Sequence, residues 1–161
     1  MGHRLLSFAR GKTLAPGGRA AAVRILVVDD EEPMRLFVQR VLADAGYETA
    51  LAGDGDEAIA LAAREPPFDL MVTDEMMPRM AGHQLARYMR ERYLDIKVLY
   101  LTGYRDAVFS AKGSLWADEA FLDKPCTPEG LKQAVSQLLF GRLLAGEPQR
   151  ADVFARHPRD I

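Results

Sequence analysis

The 161-residue sequence has a single cysteine, Cys126. That excludes an intrachain disulfide and any zinc site built on several cysteines, and it agrees with a reducing, cytoplasmic setting. Histidine is nearly as scarce: His3, His83 and His157 are scattered along the chain and read as surface positions rather than as a ligand set. No apolar run approaches the ~20 residues that cross a bilayer, so no membrane span is expected. Acid is missing from residues 1–24, which hold five Lys or Arg. A basic surplus is missing from the rest: residues 25–140 carry 12 Lys or Arg against 20 Asp or Glu, a net of −8. Nucleic-acid binding needs a basic face, so the core is not expected to bind nucleic acid. An acidic body suits cations or basic partner surfaces.

The basic start does not read as a secretory signal, because its apolar stretch, "LLSF", is far too short. "TLAPGGRAAA" has the Pro, Gly and Ala of a linker and no periodicity. Residues 1–22 are therefore read as a basic flexible leader and residues 141–161 as a C-terminal tail. "GKT" at Gly11–Thr13 ends like a phosphate-binding loop, but the position that must be glycine is Leu6 and no strand precedes it. Nucleotide binding there is set aside.

From Val23 the pattern becomes regular. "VRILVV" predicts a buried strand. Met34, Phe37, Val38, Val41, Leu42 and Ala45 fall on one helical stripe, and Gly46 follows as a stop. "YETALA" predicts a second strand. "DGDEAIALAAR" predicts a helix with Asp54 and Glu57 spaced as a capping box. "FDLMVTD" predicts a strand, and Gly82 to Tyr93 a helix. "IKVLYLT" predicts a strand, "YRDAVFSAKG" a weak fourth helix and "EAFLDK" a fifth strand. Thr127 caps a last helix that has Pro128 at its first position. Strands and helices thus alternate five times. The fold class is α/β: a five-stranded parallel sheet, doubly wound, flavodoxin-like, (βα)5, spanning residues 23–140.

Ligands bind at the carboxyl ends of the strands in such a sheet. The first strand ends in Asp29-Asp30, the third in Asp74, the fourth in Thr102 and the fifth in Lys124. Taken singly, each has an ordinary reading: a solvated helix start, a turn, a surface lysine. Taken together they place three carboxylates, a hydroxyl and an ammonium on one edge. Clustered carboxylates repel unless a cation sits among them. The donors are hard oxygens, which select Mg²⁺, Mn²⁺ or Ca²⁺ over Zn²⁺. A divalent ion, a lysine and a hydroxyl around an aspartate suit a phosphoryl group, with the aspartate as nucleophile.

Four blocks, "ILVVDDEEPMR", "DLMVTDEMMPRMAG", "VLYLTGY" and "AFLDKP", occur in an order that resembles the response-regulator receiver (CheY-like) domain. The intervals agree as well: 44 residues from Asp30 to Asp74, 28 more to Thr102 and 22 more to Lys124. The resemblance implies that Asp74 is the phosphoacceptor and that Asp30, Asp74 and the backbone carbonyl of Met76 bind Mg²⁺, with Asp29 acting mostly through a metal-bound water. It implies that Lys124 pairs with the phosphoryl oxygens, that Thr102 swings toward them, and that Phe121 rotates inward as the second member of a switch. It implies a sensor histidine kinase or phosphotransfer protein as donor, a downstream protein target, and homodimerisation as one arrangement open to the family.

The chain departs from the family pattern at Glu75, where an apolar residue is common, at Cys126, and around Gly113 and Trp116. A stand-alone regulator and the detached receiver of a hybrid kinase are both compatible with it. The competing class is a Mg²⁺-dependent aspartyl-phosphate phosphohydrolase. That class usually places a second acid two residues after its nucleophile, where this chain has Met76.

Overall fold

The computed structural model describes residues 21–103 and 117–141. Strands β1 (Arg24–Val28), β2 (Glu48–Ala52), β3 (Leu70–Thr73), β4 (Lys97–Thr102) and β5 (Glu119–Asp123) alternate with helices α1 (Glu32–Asp44), α2 (Gly55–Arg64), α3 (Gly82–Arg92) and α4 (Pro128–Phe140). The expected fourth helix, the departures at Gly113 and Trp116, and nearly all of the leader and tail lie outside the described residues. The expected doubly wound parallel sheet is present: every pairing is parallel, in the order β2-β1-β3-β4-β5.

The strands read as near-continuous apolar runs because both faces of the sheet are covered. Successive residues point to opposite faces. Leu26, Val28, Met71, Val98 and Tyr100 pack beneath Ala58 and Leu61 of α2 and Leu85 and Met89 of α3. Ile25, Val27, Leu70, Val72, Leu99 and Leu101 pack beneath Val38 and Leu42 of α1 and Leu131, Val135 and Leu138 of α4. Each such Val, Leu, Ile or Met side chain contributes roughly 1.5–3 kcal/mol through burial, and together they fix the sheet as the rigid base of the site.

Local signals set the helix ends. The Asp54 carboxylate accepts from the Glu57 N–H at 2.8 Å, while the Glu57 carboxylate reaches one residue further back than a capping box requires, to the Gly53 N–H at 2.8 Å. The Thr127 hydroxyl accepts from the Gly130 N–H at 3.0 Å, with Pro128 in the first turn of α4. Gly46 stops α1 at φ +92°, a conformation in which a side chain would be strained. The third strand is shorter than the reading from Phe68 to Asp74: Phe68 is buried against the α2 and α3 side chains, and Asp74 lies just beyond the last ladder residue.

From β1 the chain passes to β2 on one side and then to β3 on the other. The order therefore reverses between β1 and β3, and a crevice opens there at the carboxyl ends of the strands.

Candidate functional site

Val28 and Thr73 are register partners at the ends of β1 and β3. The next residues are Asp29 and Asp74, so the sheet itself sets these carboxylates side by side in the crevice. The Asp29 N–H donates to the Ala52 carbonyl at 3.2 Å and the Asp74 N–H to the Val28 carbonyl at 3.1 Å, which extends the ladder into the site. Both residues are buried.

Lys124 enters from the far side of β4. It follows Asp123, the register partner of Thr102, and its N–H donates to the Thr102 carbonyl at 3.1 Å. The Lys124–Pro125 bond is cis. The Lys124 ammonium lies 3.1 Å from Asp29 Oδ2 and 3.3 Å from Asp74 Oδ2. The remaining carboxylate oxygens are held by backbone: Asp29 Oδ1 accepts from the Glu31 N–H at 2.9 Å, and Asp74 Oδ1 accepts from Glu75 at 2.8 Å and Met76 at 3.4 Å. The Arg35 guanidinium donates to the Asp29 carbonyl at 2.6 Å and ties α1 to the site.

The electrostatics follow from this crowding. Burial raises the Asp74 pKa above the ordinary carboxylate range; Lys124 opposes that rise and the charge on Asp29 adds to it. Burial alone would lower the Lys124 pKa, but the hydrogen bond to Asp29 and the charges of Asp74 and Asp29 hold it above its usual value. One ammonium shared by two buried carboxylates leaves the site a net cation short.

One carboxylate oxygen from each of Asp29, Glu31 and Asp74 lies within 4.8 Å of the other two. Three hard oxygens with no nitrogen or sulfur donor fit a magnesium-like ion. Asp30, read from sequence as a direct ligand, is exposed at the strand end and is not one of the three. Glu31, exposed like Asp30, offers the third oxygen of the group; in the sequence it is one of four consecutive acids, with nothing to separate it from Asp30 or Glu32. Met76 is 54 % exposed beside the site, so its side chain packs against little.

Thr102 and Phe121 are both fully buried. Phe121 is the register partner of Tyr100, two positions before Thr102 on β4, so the two residues read as a switch share one face of the sheet. The Phe121 ring occupies the interior, 5.3 Å from the Tyr100 ring. The Tyr100 hydroxyl donates to the buried Glu119 carboxylate at 3.3 Å.

Cys126 is half-buried and lines an open groove of about 410 Å³ with Met34, Phe37, Lys124 and Pro125. Burial pushes its thiol pKa up. Glu75 is buried, and its carboxylate pairs with the His83 ring. In the sequence Glu75 is only a departure from the family pattern and His83 only a surface histidine. Their partnership has no sequence signal, because the irregular loop of residues 76–81 separates them.

The response regulator receiver domain family matches residues 25–136. Response regulator MprA of Mycobacterium leprae is 39% identical over 118 residues, covering 73% of this chain and 51% of the relative. The chain thus spans about half the length of the curated relatives it matches. Among solved structures, the chemotaxis protein CheY4 of Vibrio cholerae is 34% identical with a TM-score of 0.65, covering 74% of this chain and all of the other. The response regulator TrrA of Thermotoga maritima, solved in complex with Mg²⁺-BeF, is 34% identical with a TM-score of 0.62, covering 73% of this chain and 99% of the other.

Proposed function

The chain belongs to the family of response regulator receiver domains, the signalling modules of two-component systems, and we propose that it works by taking a phosphoryl group onto Asp74. The observation that carries this reading is the placement of Asp29 and Asp74 on adjacent register-matched strand ends, with the Lys124 ammonium 3.1 and 3.3 Å from them. No other group of His, Cys, Asp or Glu among the described residues converges in this way.

The donor is a phosphohistidine on a histidine kinase or a phosphotransfer protein. A carboxylate oxygen of Asp74 forms the new O–P bond, the N–P bond breaks, and the imidazole leaves with its electron pair and takes up a proton. The Asp74 carboxylate is held for this by the Glu75 and Met76 N–H groups on Oδ1 and by Lys124 beside Oδ2. Lys124 then stays beside the transferred group and neutralises charge on its oxygens. Asp29 orients Lys124, and Thr102 supplies a hydroxyl on the neighbouring strand end.

Mg²⁺ is the ion the donor set fits. Asp29, Asp74 and the acid at position 30 or 31 would hold it, together with the Met76 carbonyl. When bound, it neutralises the carboxylates and the incoming phosphoryl oxygens. Asp30 and Glu31 compete for one role, and Glu31 is the nearer in this structure. The readout is a change of the surface around Thr102 and Phe121, presented to a downstream protein. No helix among the described residues is long and apolar enough to cross a membrane. The phosphohistidine of such a donor faces the cytoplasm, and we place the domain there with it. Family membership stands against the phosphohydrolase, as does Met76, which has no proton to give or take where that class needs an acid.

The test is intact-protein mass after incubation with acetyl phosphate and Mg²⁺. One phosphoryl adduct is expected, absent from Asp74→Asn and absent when the metal is chelated. An adduct that survives in Asp74→Asn would refute the assignment.

A further inference from the structure

Glu75 stands directly after the residue proposed to take the phosphoryl group, yet it points away from the acidic crevice. Its side chain is only 3% exposed. The Oε2 atom accepts from the His83 backbone N–H at 3.1 Å. The Oε1 atom pairs with His83 Nδ1. The Glu75 carbonyl accepts from the Gly82 N–H at 3.0 Å. One residue therefore satisfies the first two N–H groups of α3.

Those groups need an outside partner. The residue before α3 is Ala81, which has no side-chain oxygen and so cannot cap the helix as Asp54 caps α2 and Thr127 caps α4. Gln84 Oε1 also helps at this end, accepting from the Ala81 N–H at 2.9 Å, but it leaves the Gly82 and His83 donors to Glu75. A negative group is favoured at the N-terminus of a helix. Gly82 permits the close approach: a Cβ there would lie 2.1 Å from the Asp74 carbonyl oxygen. The end of β3 and the start of α3 are thus fastened to each other through residue 75, and residues 76–81 form a loop closed at both ends.

Met76 lies inside that loop. Its N–H reaches Asp74 Oδ1, and its carbonyl is the backbone oxygen proposed above as a ligand of the ion. We infer that Glu75, with His83, is a positioning residue for the metal site: by fastening α3 to the end of β3 it fixes the Met76 peptide, and so sets how tightly the domain binds Mg²⁺. The inference rests on the proposed Mg²⁺-dependent reading of the crevice. It gives the polar residue at position 75 a task that an apolar one cannot perform.

The experiment measures Mg²⁺ dissociation constants by calorimetry for the wild type, Glu75→Leu, Glu75→Gln and His83→Ala, well below their melting temperatures and with folding checked by circular dichroism. Loss of a group that holds a ligand in place weakens metal affinity by about tenfold or more, and that is expected for Glu75→Leu. Glu75→Gln keeps an acceptor for the His83 N–H and should restore most of the affinity. His83→Ala should fall between them. A helix-stabilising role alone would lower the melting temperature and leave the dissociation constant unchanged, so a folded Glu75→Leu within about twofold of wild type, well short of the tenfold loss, would overturn the inference. If Glu75→Leu does not fold, His83→Ala decides the matter, and wild-type affinity in that variant would overturn the inference equally. A wild type that binds no Mg²⁺ would instead strike the underlying reading of the crevice.

Discussion

Replacing Asp74 should make the metal-free protein more stable. The Asp74 carboxylate is buried and within 4.8 Å of the Asp29 carboxylate. At an effective dielectric constant of about 20, that repulsion is worth at least roughly 3.5 kcal/mol, and the attraction of Lys124 across 3.3 Å roughly 5 kcal/mol. The two nearly offset, with at most roughly 1.5 kcal/mol left in favour of the ion. Against this stands the desolvation of a buried carboxylate, of the order of several kcal/mol. The raised Asp74 pKa has the same sign, with burial as its largest cause. Asn keeps an acceptor for the Glu75 N–H without the charge, so Asp74→Asn should gain about 1–2 kcal/mol, the remainder after these opposing terms. For a domain of this size that raises Tm by about 4–8 °C.

The assay is thermal unfolding followed by circular dichroism in a chelator, over a pH series. An acid whose folded pKa lies above its unfolded value costs stability at pH above the folded pKa, and that cost disappears as pH falls below the unfolded one. The advantage of Asp74→Asn should therefore be full near neutral pH and vanish in acid. Added Mg²⁺ stabilises the wild type in proportion to its binding, so the gap should narrow or reverse with metal. An Asp74→Asn protein less stable than wild type in chelator at neutral pH would refute this balance, and would mean that the Lys124 pair outweighs burial.

Other perturbations separate parts of the site. Gly82→Ala would drive a Cβ to 2.1 Å from the Asp74 carbonyl oxygen, a backbone contact with no flexible side chain to yield; a loss of about 2–3 kcal/mol is expected by urea denaturation. Met76→Asn replaces an exposed apolar side chain beside the proposed acyl phosphate with one that can orient water; phosphoryl lifetime, followed by intact mass after removal of the donor, should shorten. Lys124→Ala removes the cation shared by Asp29 and Asp74 while leaving the carboxylates; Mg²⁺ binding by calorimetry should persist, and the phosphorylated form should fail to change its partner-binding surface. Burial raises the Cys126 thiol pKa, so it should alkylate more slowly at neutral pH than an unfolded control, because only the thiolate reacts.

The apolar runs and helical stripes make the doubly wound sheet legible, because each strand is buried on both faces and each helix on one. The strand ends are legible for the same reason: in a parallel sheet the residues at or just past the end of each strand fall on the carboxyl edge whatever the strand order, so Asp29, Asp74, Thr102 and Lys124 can be gathered before the order is known. What periodicity cannot supply is side-chain direction within irregular backbone. Asp29, Asp30 and Glu31 are consecutive, and only the turn into α1 decides that a Glu31 oxygen joins those of Asp29 and Asp74 while both Glu31 and Asp30 stay exposed.

The same limit hides the partnership of Glu75 and His83. Read along the chain, an acid beside Asp74 adds to the repulsion of the crevice. In three dimensions the peptide after Asp74 turns that carboxylate to the other side of the strand end, where the uncapped start of α3 receives it. The crevice thus concentrates its negative charge on residues that a metal ion and Lys124 can neutralise, and the acid that neither can reach is taken up by a helix terminus and an imidazole. This division lets a run of acids occur at strand ends without forcing each to protonate: Asp29, Asp74 and Glu75 each have a nearby positive group or dipole end, and the deficit that remains in the crevice is what the proposed ion would neutralise.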